Sequence, residues 1–184
     1  MRSISRLLIV AALVMGGGFA IFKYLLLPHL QQGEQIPVTN GTSALFAATF
    51  PDTNNVPQAL KQWQGKVLVV NFWATWCPPC LEEMPELSKL NDEYKGQNVS
   101  FVGISTDDVA KISEFTKGTA VSYPLLAADM QAADLAEALG NNRGVLPYTV
   151  IIKTDGSIAK SHLGRINRAI LQETLIPLLT SKKP

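Results

Sequence analysis

Two cysteines occur in the 184 residues, and they stand three apart in Trp76-Cys77-Pro78-Pro79-Cys80. Directly before them runs Val67-Leu68-Val69-Val70-Asn71-Phe72. A nearly unbroken apolar run of strand length reads as a strand buried on both faces. The residues that follow read as a helix over 78–94, which Gly96 ends. A C-x-x-C that follows a strand and opens a helix points to thiol–disulfide chemistry. The other reading of an isolated pair is half of a zinc site. Zinc needs four ligands, and the chain offers no further cysteine and only His29 and His162, remote from the pair and from each other. Neither a metal nor a cofactor is expected.

The N-terminus has a different character. Arg2 and Arg6 precede a run over 7–27 that is apolar apart from Lys23. A helix of that length spans about 31 Å, close to the thickness of a bilayer core. Lys23 lies near the far end, where its stem can snorkel to the interface. The basic flank stays on the cytoplasmic side and places the remainder across the membrane. A cleaved signal peptide with its apolar core over 7–15 is the alternative, but no clean A-x-A site follows. The expected organisation is a transmembrane signal anchor over 1–28, a polar linker over 29–43 and one globular domain over 44–184. The catalytic domain is then periplasmic or extracytoplasmic, held at the inner membrane by a single pass. The formal charge of +1 gives no electrostatic ground for binding nucleic acid.

Elements then alternate. An extended piece is expected over 44–49 and a helical turn near Leu60. Strands follow over 66–72 and 99–104, with a helix over 107–117 stopped by Gly118. A short strand over 123–126 leads to a helix over 129–139, capped by Asp129 and ended by Gly140. A strand over 148–152, the turn Thr154-Asp155-Gly156 and a strand over 157–163 make a hairpin. A helix over 167–179, with Asn167 as its cap, closes the chain. This order predicts an α/β fold: a mixed sheet with helices on both faces.

The chemistry of the pair follows from its placement. A thiol attacks a disulfide as the thiolate. Cys77, at a helix N-terminus, gains from the helix dipole, so it is the exposed nucleophile. Cys80 lies on the same face one turn in and resolves the mixed disulfide. Pro78 and Pro79 suit a first turn, whose N–H groups have no partner inside the helix. Pro85 falls inside the helix and is expected to kink it by freeing the Leu81 carbonyl; the alternative is a helix that ends at Met84, but Leu87 and Leu90 keep the apolar spacing. Glu83, three residues after Cys80, is either a general base for Cys80 or a solvated surface glutamate. Trp76 offers an apolar surface beside Cys77, whereas Trp73 reads as core.

The order of elements, with C-x-x-C at the first strand-to-helix junction, resembles the thioredoxin fold over 67–180. The extra strand and helix over 123–139 resemble an insertion of membrane-anchored TlpA-like and ResA-like thiol:disulfide oxidoreductases. The run Asn71-Phe72-Trp73-Ala74-Thr75-Trp76-Cys77-Pro78-Pro79-Cys80 with Glu82-Glu83-Met84-Pro85-Glu86-Leu87 is similar to that group. The resemblance implies that Leu146-Pro147 is a cis bond facing the disulfide, where Trp76, Leu146 and Pro147 receive an extended substrate peptide. Asn71 stands where thioredoxins carry a buried aspartate and cannot relay a proton; Glu83 matches an acidic residue of ResA-like proteins. The implied activity is reduction of disulfides in exported proteins by a monomer recharged from a membrane electron donor. Substrates in the related groups include apocytochrome c and copper-delivery proteins. The competing readings are a disulfide-forming oxidase and a Cu(I)-handling or docking module that uses both thiolates. A peroxiredoxin would need Ser or Thr where Ala74 stands.

Overall fold

The computed structural model describes residues 41–180. They belong to the second of two units into which the chain divides, Thr39–Pro184, the first being Met1–Val38. The expected anchor over 1–28, most of the linker and His29 lie outside the described residues. Among the described residues no helix is long and apolar enough to cross a membrane.

The main sheet has five strands: β3 (Val67–Trp73), β4 (Val99–Ser105), β5 (Leu125–Ala127), β6 (Tyr148–Ile152) and β7 (Ile158–Leu163), in the order β5-β4-β3-β6-β7. Strands β3, β4 and β5 are parallel; β6 runs against β3, and β7 against β6. A small hairpin, β1 (Thr49–Pro51) with β2 (Pro57–Ala59), precedes it. From that hairpin Asp52 bridges to Leu126 and so covers part of the exposed edge at β5.

Strand β3 is buried at every position and distributes its side chains by the two-residue period of a strand. Val67, Val69 and Trp73 enter one core, with α2 (Pro78–Glu93), α3 (Val109–Gly118) and α5 (Arg168–Thr180). Leu68, Val70 and Phe72 enter the other, with α1 (Gly41–Ala47), the 3-10 turn Leu60–Trp63 and α4 (Met130–Ala138). Helices therefore flank both faces of a mixed sheet.

The expectation of an extended piece over 44–49 is overturned by α1, a helix over Gly41–Ala47. Thr42, Leu45 and Phe46 stand three and four apart, share one helical face and are buried together. Consecutive apolar residues fit either period, and burial against the second core selects the helix. Strand β5 begins later than expected, at Leu125. Asp129 does not cap α4 through its side chain; it has φ 50° and ψ −136° and no cap hydrogen bond. Asn167 does cap, accepting from Ile170 N at 3.0 Å. Helix α2 continues through Pro85, which is exposed.

Candidate active site

Cys77 and Cys80 are joined in a disulfide with Cα atoms 5.3 Å apart. Cys77 is the N-cap of α2, and Pro78 and Pro79 fill the first helical positions. Without their N–H groups, the first turn is closed by Cys80 N and Leu81 N, which both donate to Cys77 O, at 3.0 and 3.2 Å. Cys77 was expected to be exposed. In the disulfide it keeps only 4% of its surface and Cys80 none, because both are packed into the first core. The order of exposure stands, but the approach to Cys77 is narrow.

Trp76, by contrast, is 67% exposed. Trp73 is fully buried and packs its ring against Phe115 at 5.2 Å.

The register of the sheet places the remaining groups. Asn71 on β3 lies opposite Thr149 on β6. Both are buried, and Asn71 Nδ2 donates to Thr149 Oγ1 at 3.1 Å. The same Nδ2 donates to Glu83 Oε1 at 2.7 Å. Oε2 of Glu83 accepts from the backbone N of Ile166 at 2.7 Å. Glu83 is only 1% exposed, so the surface alternative for it fails. Burial pushes its carboxyl up from 4.5 to about 7, against the opposing pull of the Ile166 and Asn71 hydrogen bonds and the Arg165 charge. Glu82 and Glu86, four residues apart on the helix along one side of the buried stripe, pair with Arg165 at 2.7 Å and Arg168 at 3.5 Å. Residues 165–168 thus grip α2 from outside while Ile166 reaches its buried acid.

On the other flank, Leu146-Pro147 is a cis bond. It leads directly into Tyr148, which is paired with Phe72, so it borders the end of β3 from which the cysteine loop leaves. Pro147 is buried, its carbonyl accepts from Gly164 N at 2.8 Å, and Leu146 packs against the core that holds the disulfide. Asn141 holds the approach to this loop: its Nδ2 donates to Val145 O at 3.0 Å. The ring of His162 meets the nearby Arg165 carbonyl at 3.1 Å.

Sequence reasoning missed Asp107, read as the first residue of a helix. The helix begins at Val109, capped by Asp108. Asp107 turns inward instead, 2% exposed, and its Oδ2 accepts from Thr75 N at 2.7 Å in the cysteine loop. Thr149 and Ile166 were also missed; the sequence carries no signal for either, since one acts through strand register and the other through its backbone.

The Redoxin family profile matches residues 31–175, and the chain belongs to the Redoxin family. It is 31% identical over 115 residues to "Thiol-disulfide oxidoreductase ResA" of Halalkalibacterium halodurans, covering 62% of this chain and 63% of that protein. The chain thus spans under two thirds of the length of that curated relative. A thioredoxin-related protein from Neisseria meningitidis serogroup B is 35% identical, with a TM-score of 0.64 over 73% of this chain and all (100%) of that one. A secreted Mycobacterium tuberculosis disulfide oxidoreductase homologous to E. coli DsbE shares the fold at TM-score 0.62 and 24% identity, over 73% of this chain and 98% of that one. The fold is thioredoxin-like.

Proposed function

We propose that the chain is an extracytoplasmic thiol–disulfide oxidoreductase that reduces disulfides in exported proteins through Cys77 and Cys80. The observation that carries this reading is the bonded Cys77–Cys80 pair at the N-terminus of α2, with buried Glu83 three residues further on. In the reduced enzyme, the Cys77 thiolate attacks one sulfur of a substrate disulfide and releases the other as a thiolate. Glu83, poised near neutrality, takes the proton of Cys80. The Cys80 thiolate then attacks Cys77 Sγ, expels the substrate's second sulfur and leaves the Cys77–Cys80 disulfide. Two electrons pass to the substrate, and a membrane electron donor restores them. Trp76, Leu146 and Pro147 border this pair and form the surface on which an extended substrate rests.

The run over 7–27 with Arg2 and Arg6 supports a membrane anchor with the domain outside the cytoplasm. Trapping the redox state of the pair in cells with a thiol-labelling mass tag tests the direction of flow. A reductase is found mostly as the dithiol, and a Cys80→Ser variant accumulates mixed disulfides with its substrates. A largely oxidised pair would sink the reductase assignment, and absence of mixed disulfides would sink the enzymatic one.

A further inference from the structure

Asp107 is a buried carboxylate that the exchange reaction above leaves unused. Its Oδ2 accepts from Thr75 N at 2.7 Å and from Ser105 Oγ at 3.2 Å, and its own N donates to Ser105 Oγ at 3.0 Å. Ser105 is itself fully buried and lies opposite Trp73 in the sheet. Thr106 N donates to Trp73 O at 3.1 Å, so the β3–β4 ladder runs on to the residue beside Asp107. The cysteine loop folds back at the same place, because Cys77 N donates to Ala74 O at 3.2 Å. Following Thr75 N, the Ala74 carbonyl and Cys77 N in turn keeps Asp107 Oδ2 within about 8 Å of the Cys77 amide nitrogen.

We propose that Asp107 is a positioning residue that pins the Cys77 loop through Thr75 and, as a buried anion, disfavours the Cys77 thiolate, which makes the pair more reducing. This rests on the exchange reaction proposed above. The local donors do little to oppose it. Pro78 and Pro79 have no N–H, and those of Cys80 and Leu81 are spent on Cys77 O. Asp107 also takes the Thr75 N–H. The other charges around the loop are Lys111 on α3, 3.8 Å from Asp107 Oδ1 but 62% exposed, the α3 cap Asp108, and on α2 Glu83 and Glu82, the latter paired with Arg165. Reduction by a dithiol or by two glutathione molecules, which become a disulfide, adds two electrons to the Sγ–Sγ bond; Cys80 Sγ takes one proton, and Cys77 is left as thiolate, or as thiol after taking a second proton. A nearby negative charge therefore shifts the balance toward thiol and, at high pH, toward disulfide. At roughly 10 Å and an effective dielectric of about 20, one charge moves a thiol by about one pH unit.

Asp107→Asn separates the two roles, since the amide oxygen can still accept from Thr75 while the charge is lost. The test follows the thiolate of Cys77 by its ultraviolet absorbance against pH in the full chain, together with the equilibrium against glutathione. Asp107→Asn is expected to lower the Cys77 pKa by about one unit. Above that pKa it should move the equilibrium about tenfold toward the dithiol. An unchanged pKa and equilibrium in a variant that cycles normally would overturn the inference alone. If the wild-type pair fails to exchange with glutathione, it is the proposed function that falls. Should Asp107→Asn not fold, Lys111→Glu on the exposed side decides: at low salt it should raise the Cys77 pKa by about half a unit, and no shift rejects the tuning role.

Discussion

Asn71 on β3 donates from Nδ2 to Oε1 of Glu83 on α2 at 2.7 Å, joining the central strand to the helix that carries both cysteines. An amide can donate to a carboxylate and, turned over, accept from a carboxylic acid. Asn71 Oδ1 is buried and has no hydrogen-bond partner among the described residues. Asn71 is therefore no proton relay itself, but it can hold Glu83 in either protonation state.

Glu83 should make stability depend on pH. Its folded carboxyl holds a proton more tightly than the unfolded one, with a pKa of about 7 against 4.5. The stability it contributes is present below the unfolded value and is lost as pH rises through about 7. Denaturant titrations of wild type and Glu83→Gln should show the wild-type advantage shrinking by about 3 kcal/mol between about pH 4 and pH 8. In stopped-flow assays, Glu83→Gln should slow resolution of the Cys77 mixed disulfide by about 100-fold and abolish a step in its pH profile near 7. A constant stability difference across that range would show that Glu83 titrates normally.

Asn71→Asp should bring two carboxyl groups to hydrogen-bond distance in the core. Such a pair shares one proton, and its second ionisation moves above the value for Glu83 alone. The variant should fold well in mild acid and lose about 3 kcal/mol or more at about pH 8. Urea midpoints that are parallel to wild type at both ends would contradict the Asn71–Glu83 contact.

Trp76 is 67% exposed next to a Cys77 that is 4% exposed. Removing the ring should cost well under 1 kcal/mol of stability. It should raise KM for a disulfide-bearing protein several-fold while leaving reaction with a small disulfide such as oxidised glutathione nearly unchanged. Equal losses with both substrates would mean that Trp76 shapes the thiol rather than the docking surface.

Gly103 on β4 is crowded. A Cβ built there would lie 2.7 Å from Leu125 Cδ2, 3.1 Å from Trp73 Nε1 and 3.2 Å from Tyr123 Cε2. Gly103→Ala should cost about 1–3 kcal/mol by thermal or urea unfolding, because all three neighbours are buried. A variant as stable as wild type would indicate room that the packing does not show.

The strands that carry the site were legible because they are apolar runs of strand length, and the hairpin because Thr154-Asp155-Gly156 interrupts one. The cysteine pair and its helix were legible from spacing. The burial of Glu83 was half legible: with Cys80, Met84, Leu87 and Leu90 it completes one helical stripe, yet spacing cannot say that Asn71 and Ile166 bring donors to it. Asp107 and Asp108 look alike in sequence. One caps α3 and the other is buried, and only the path of the chain after β4 separates them. Helix α1 was misread because its short apolar pair fits two periods.

Ile166 stands 83 positions after Glu83, and its backbone supplies one of the two hydrogen bonds on that carboxylate. During N-to-C synthesis the cysteines and Glu83 therefore emerge long before the acid is complete. A nascent chain that ends short of Ile166 carries Cys77, Cys80 and Glu83 without the backbone N–H that meets the carboxylate. Arrival of the segment before α5 supplies that hydrogen bond, so the surroundings of the acid are set only when the C-terminal end has folded.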